Sequence, residues 1–536
     1  MQIMTKSQSS RPAVQQTLTR GALRCVMLFL LSALVLIATP VATASASAAP
    51  AVPRGGDPLA LLAVQQAELT APDGAANDLF GDSVALSGDT ALVGAPGKTA
   101  GGHAEAGAVY VFTRLGKSWS QQAELTAPDG AASDYFGWSV ALSGDTALVG
   151  AVGTTVSGQY GAGAVYVFTR SGMSWSEQAE LTAADSDSFG SAVALDGNTA
   201  LVGAAGSAAA YVFTRSATSW SQQAELTAAN AAAEVDFGLS VALSGDTALV
   251  GAYRKTVSAQ FKVGAAYVFT RSGTSWSQQA KLTVAAGVAV HEYGLSVALF
   301  GDTALVGAYG LTISGPSDVG AAYVFTRSGT KWSKQAKLTA ANAAAGDAFG
   351  SSVALSVDTA LVGAAGKTVS GHKGAGDAYV FTRTGTSWSE RAELTAADAA
   401  AGDNFGDSLA LSAGTVLLGA AGGDYLAPTY HGAAYVDVLS SAPSVSLEAS
   451  RHSVKVGEKI TLSGIVRHYL SSSLSVPIER QLKSRLVRLK SLTCSTSGAF
   501  SWKWKATKTG KWVLVAIYKV GTDSFSSRPL TVTVHR

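Results

Sequence analysis

The residues best placed to do chemistry are two aspartates, Asp82 and Asp407, each directly after a Phe-Gly pair (Phe80-Gly81 and Phe405-Gly406). Two carboxylates flanking a bond can split a glycosidic linkage, one protonating the leaving oxygen while the other attacks or activates water. Five further copies of the same phrase put Trp138, Ser191, Leu239, Leu295 or Ser351 at that position, the pattern of an ordinary strand start. No catalytic residue is therefore assigned, and a carbohydrate-active enzyme using carboxylates at a channel mouth stands as the alternative. There is no HExxH, no P-loop and no GxSxG, and the seven histidines (103, 291, 372, 431, 452, 468 and 535) have no metal-ligand spacing. The expectation is a chain that is not an enzyme and binds neither cofactor nor metal.

A second set of acids lies one or two residues before each opening aromatic: Asp78, Asp134, Asp187, Asp236, Glu292, Asp347 and Asp403. Their reading is of turns in which a side-chain oxygen satisfies local backbone N–H groups, with a cation-binding ring as the alternative. The positions where the copies stop resembling one another are more informative. One inserts Tyr160, another Arg254, Lys255, Phe261 and Lys262, another His372 and Lys373, and the last Tyr425, Tyr430 and His431. Variable loops on a constant scaffold are where binding sites are commonly mounted. Tyr160, Arg254, Phe261, Tyr425, Tyr430 and His431 are the candidate ligand-binding residues, because aromatic and basic side chains dominate contact hot spots.

The elements that must hold these residues repeat. The aromatic-Gly pair recurs at Phe80, Phe136, Phe189, Phe237, Tyr293, Phe349 and Phe405, at steps of 56, 53, 48, 56, 56 and 56 residues. Each unit has four short runs of strand character: SVAL from Ser83, TALVG from Thr90, AVYVFT from Ala108 and the alternating WSQQAELT from Trp119. In the fourth, Trp119, Gln121, Ala123 and Leu125 form one face and Ser120, Gln122, Glu124 and Thr126 the other, as in a half-buried outer strand. Seven four-stranded antiparallel units predict a closed ring of blades, a seven-bladed β-propeller. A spare fourth-strand copy, LLAVQQAELT from Leu61, precedes the first unit, and the last unit stops after its third run. The N-terminal copy is thus expected to complete the last blade.

The phrases FG, SVAL, GAP or GA and GAVYVF resemble the FG-GAP repeat of integrin α-subunit propellers, and more closely its bacterial secreted variant, over residues 61–440. The resemblance implies a ligand face built from the loops that join strands 4 to 1 and 2 to 3. Many such repeats carry a calcium loop between strands 1 and 2. Here it shrinks to Ser87-Gly88-Asp89-Thr90, too few oxygens for the ion, and no calcium is expected there. Blade three also lacks most of its 2 to 3 loop: Phe189 to Tyr211 spans 22 residues against 30 from Phe80 to Tyr110.

The ends of the chain set its context. Lys6, Arg11, Arg20 and Arg24 precede an apolar run from Val26 to Ala38 and Ala-x-Ala sites, so residues 1–49 read as a secretory signal peptide. Cys25 falls in that leader, leaving Cys494 without an intrachain partner. Residues 445–536 carry about seven short alternating runs and resemble bacterial Ig-like domains, giving an all-β chain of propeller followed by β-sandwich. Charge divides them: residues 51–443 hold 19 basic and 33 acidic side chains, and residues 444–536 hold 16 and 4. The reading is a monomeric, secreted or cell-surface adhesion protein that binds an extracellular protein or polysaccharide. Its basic domain is expected to contact an anionic cell wall, and no nucleic acid is expected.

Overall fold

The computed structural model describes residues 61–536 apart from 185, 230–235, 254–263, 285–291, 311–318, 423–430, 442–443, 446, 468–474, 483–484, 494–498, 521–522 and 527–529. The leader, Cys494 and four of the candidate ligand residues lie outside the described residues. Among the described residues no helix is long and apolar enough to cross a membrane.

Seven four-stranded antiparallel sheets fit a seven-bladed propeller. In blade one the strands run Val84–Ser87, Thr90–Ala95, Ala108–Leu115 and Ser118–Leu125, hydrogen-bonded in that order. Blade seven is composite: Ser408–Ser412, Thr415–Ala420 and Ala433–Ser441 are completed by the N-terminal strand Leu61–Leu69, antiparallel to the third. Each first strand packs on the first strand of the next blade, and that of blade seven packs on that of blade one.

The motif residues have physical jobs. Phe80 is fully buried, with the Tyr110 and Phe112 rings edge-on at 5.4 and 6.2 Å and Leu417 and Val436 of blade seven beyond. Gly81 follows at φ 97°, a conformation open to glycine, and a Cβ there would strike the Ala433 carbonyl of the preceding blade. A Cβ on Gly94 would strike the Gly137 carbonyl, which explains the glycine that all seven second strands carry one residue before their end. Ser83, Ser139, Ser191, Ser240, Ser296, Ser352 and Ser408 each donate to the motif-glycine carbonyl of the next blade. The last of these bonds closes the circle onto Gly81 at 2.7 Å. In blade three the serine sits one place early and its bond lengthens to 3.4 Å.

The fourth strand departs from strict alternation. Its pairing with the third strand slips between Val111 and Phe112, which face Ala123 and Gln121 and leave Gln122 as a bulge. Gln121 is exposed, whereas Gln122 is half-buried and accepts the indole N–H of Trp175 in blade two at 3.1 Å. The bulge turns an outward residue toward the neighbouring blade. The same bond runs from Trp119 to Gln66, which ties blade one to the N-terminal strand at 3.2 Å.

The C-terminal part forms two sheets over one apolar core. Strands Lys459–Arg467 and Ala499–Lys505 belong to the first, and Ser475–Leu482, Gly510–Val520 and Leu530–His535 to the second. Ile460, Leu462, Phe500 and Trp504 meet Ile478, Trp512, Leu514 and Val532 between them.

Candidate functional site

The face that carries the 4 to 1 and 2 to 3 loops is interlocked by its own backbone. Four of the seven carboxylates before the aromatic accept N–H bonds from three residues upstream: Asp78 from Ala75, Asp134 from Ala131, Asp347 from Ala344 and Asp403 from Ala400, at 2.6–2.8 Å. Burial pushes the Asp134 and Asp403 carboxyls up, and these N–H bonds oppose it. The 2 to 3 loops of blades one, two and six are zipped to the loop entering the next blade, as in Ser133 N–H to Ala104 O at 2.9 Å, Ser188 N–H to Gly161 O at 2.8 Å and Asn404 N–H to Gly374 O at 2.9 Å. Among the described residues, no group of three or more His, Cys, Asp or Glu is arranged to hold a metal ion.

A polar clasp fixes the loop ahead of blade one. Lys98, nearly buried, donates to Asp73 Oδ2 at 2.7 Å, and the Tyr110 hydroxyl donates to Asp73 Oδ1 at 2.7 Å. Those two bonds hold the Asp73 carboxyl below its ordinary range, and burial pushes the Tyr110 phenol up. Blade six varies the theme: Lys367 donates to Asp347 Oδ2 at 3.0 Å and to the Asn342 carbonyl at 2.9 Å, and the Tyr379 hydroxyl donates to Asn342 Oδ1. Tyr166 and Tyr435 donate likewise to Asp129 and Asp398.

Beside the clasp opens a pocket of about 360 Å³ lined by Asp73, Asn77, Asp78, Lys98, Thr99 and Glu105. Glu105 accepts from the hydroxyls of Ser133 at 3.0 Å and Tyr135 at 2.8 Å. Burial and this carboxylate push the Tyr135 phenol up to about 12, and the Tyr135 ring lies edge-on to Trp138 at 6.2 Å. Tyr160, in the 2 to 3 loop of blade two, is exposed. Exposed His431 lies beside Gly74, in the loop that supplies Asp73.

Of the six candidate ligand residues, Tyr160 is exposed in the 2 to 3 loop of blade two, His431 is exposed in that of blade seven, and Arg254, Phe261, Tyr425 and Tyr430 lie outside the described residues. Asp82 and Asp407 occupy the same turn in neighbouring blades, each giving its backbone N–H to the residue before the aromatic, Leu79 or Asn404, at 3.0 Å. Sequence reasoning missed Lys98, Glu105 and Tyr135. The repeated spacing of 25 residues from Asp73 to Lys98 and from Asn342 to Lys367 is the signal that marks the clasp.

No curated protein matches the chain. Solved structures that it resembles include the Pseudomonas aeruginosa periplasmic gluconolactonase PpgL, at 14% identity and TM-score 0.41 over 60% of this chain and 86% of that one. A putative 6-phosphogluconolactonase from Bacteroides uniformis follows at 11% and 0.41 over 59% and 85%. The GH74 xyloglucanase from Xanthomonas campestris is at 13% and 0.37 over 83% and 66%. The expectation that the chain is not an enzyme is corrected by these neighbours, whose names are those of enzymes. Sequence motifs of other folds do not decide the matter, because a propeller can mount catalytic groups on loops without them. At such identities the correction removes an exclusion and supplies neither an activity nor a catalytic residue. The FG-GAP repeat family matches residues 63–112, 119–168, 175–213, 220–269, 276–325, 332–381 and 388–436. Each match starts in the fourth strand of one blade and ends in the third strand of the next, and on these seven matches the chain belongs to the FG-GAP repeat family.

Proposed function

We propose that this protein is exported and recognises an extracellular polysaccharide on the loop face of blades seven, one and two. The observation that carries the reading is the pocket of Asp73, Lys98 and Glu105, with the Tyr135 hydroxyl on Glu105, His431 beside Gly74 and exposed Tyr160 in the 2 to 3 loop of the next blade. Carboxylates and an ammonium group supply hydrogen bonds for sugar hydroxyls, and tyrosine rings offer apolar area at low entropic cost. The basic leader supports export, and two sheets over one core support an Ig-like C-terminal module.

Binding of the chain purified from culture medium to a glycan array tests the reading, with soluble sugar release followed in the same samples. Tyr160→Ala and Glu105→Gln should each weaken binding about tenfold or more, whereas Asp89→Ala and Asp145→Ala, in the turns of the opposite face, should leave it unchanged. Loss through the second pair alone would place the site on the other face.

A further inference from the structure

The outer face of the first C-terminal sheet bears a pattern that stability alone does not favour. Lys459 stands directly opposite Lys505 on the neighbouring strand, and Lys503 stands opposite Thr461 one row along, with Ser463 opposite Ser501 beyond. All three lysines are exposed. Directly opposed side chains are about 5 Å apart at Cβ, and like charges there repel. Residues two apart along one strand repeat at about 7 Å. Among the described residues none of the three lysines is in an ion pair. Glu458 is engaged by Arg451 at 3.6 Å and Glu479 by Arg488 at 3.6 Å, while Glu448 sits opposite Ser463 at the far end of the face.

We infer that this sheet face binds a linear phosphate-bearing polymer of the sugar or polyol kind. Three ammonium groups on a grid of about 5 by 7 Å neutralise successive phosphates, and the Thr461, Ser463 and Ser501 hydroxyls are donors for the oxygens between them. The excess of 16 basic over 4 acidic residues in this part of the chain adds long-range attraction. Nucleic acid fits less well. The tryptophans of these strands, Trp502 and Trp504, pair with Leu462 and Ile460 on the core side, so the lysine face has no aromatic platform on which bases stack.

The test uses the full secreted chain and beads carrying inorganic polyphosphate, with neutral dextran and a single-stranded oligonucleotide of matched charge as comparisons. The chain should be held on polyphosphate at low salt and be released steeply as salt rises. The combined Lys459→Gln, Lys503→Gln and Lys505→Gln variant should bind at least tenfold more weakly, with an unchanged or raised melting temperature because the Lys459 and Lys505 repulsion is relieved. A variant of equal charge change in the second sheet and C-terminus, Arg488→Gln, Lys511→Gln and Arg536→Gln, should lose less than threefold. Equal loss in both variants, stronger retention on the oligonucleotide than on polyphosphate, or low-salt self-association abolished by the first variant would each overturn the assignment. The last result would make the acidic propeller of a second copy the occupant.

Discussion

Six blades begin the third strand with alanine, at Ala108, Ala164, Ala209, Ala265, Ala321 and Ala433, and blade six begins it with the fully buried Asp377. Its Oδ2 lies 3.2 Å from the Tyr379 hydroxyl, and its carboxyl is hydrogen-bonded to Glu393. Burial, with Glu393 beside it, pushes this carboxyl up to about 9, so it holds a proton at neutral pH. Its pKa is raised on folding, so the folded state binds the extra proton and stability falls as pH rises from about 4 toward 9. The slope is at most about 1.4 kcal/mol per pH unit. Glu393, lowered by its bonds to Asp377 and Asn342, acts in the opposite sense only below about pH 4.5. Asp377→Ala should therefore raise the melting temperature more at pH 8 than at pH 5. Calorimetry across that range checks it, and a shift independent of pH would refute the assignment.

Strands and their turns show how one unit grips the next. The third-strand arginines 114, 170, 215, 271, 327 and 383 each donate to a threonine that opens the second strand of the preceding blade, at 2.9–3.2 Å. The same guanidinium groups lie 5.2–5.4 Å from the ring centroid of a fourth-strand tryptophan, whose indole N–H reaches the bulged glutamine of the preceding blade. Trp175→Phe keeps most of the ring and removes the bond to Gln122. The expected cost is about 1–2 kcal/mol, read from urea unfolding monitored in the far ultraviolet. A loss below about 0.5 kcal/mol would mean that the bulge is held by the ladder alone.

For the molecule as a whole the seams are unequal. Between blades six and seven the Ser352 to Gly406 bond is kept, but the other members of the repeated set are replaced: Asp437 stands where other blades have phenylalanine, Leu439 where they have arginine and Ala63 where they have tryptophan. Burial pushes Asp437 up to about 6, a further cost as pH rises above 4. The closing seam between blades seven and one keeps its full set, with Arg114 to Thr415, Trp119 to Gln66 and Ser408 to Gly81. The ring should therefore open first between blades six and seven. Native-state hydrogen exchange should find the amides of Ser408–Ser412 and Thr415–Ala420 less protected than those of Phe136–Ser143 and Thr146–Ala151 in blade two. The bulge position of blade six is Arg391, which cannot accept an indole N–H, so combining Asp437→Phe, Leu439→Arg and Ala63→Trp with Arg391→Gln should remove the difference, and equal protection in the unaltered chain would count against a weak seam.

The repeat period, the four runs per unit and the surplus strand at Leu61 were legible in the amino-acid order because they depend on local alternation and turn residues, which recur within each unit. The 4 to 1 turns around Asp78 and Asp134 were legible for the same reason, since their bonds span three residues. The pocket was not, because Tyr110, Lys98 and Asp73 come from three separate segments and meet only when the loops stack. Nor was the bulge at Gln122, whose partner Trp175 is 53 residues away in another blade and outweighs the alternation of its own strand. Ala63, Asp437 and Leu439 look like unrelated departures at the two ends of the repeat array. Only closure of the ring, which pairs Gln65 with Asp437 and Ala63 with Leu439, gathers them into one sheet, because contacts between blades join residues that no local pattern connects.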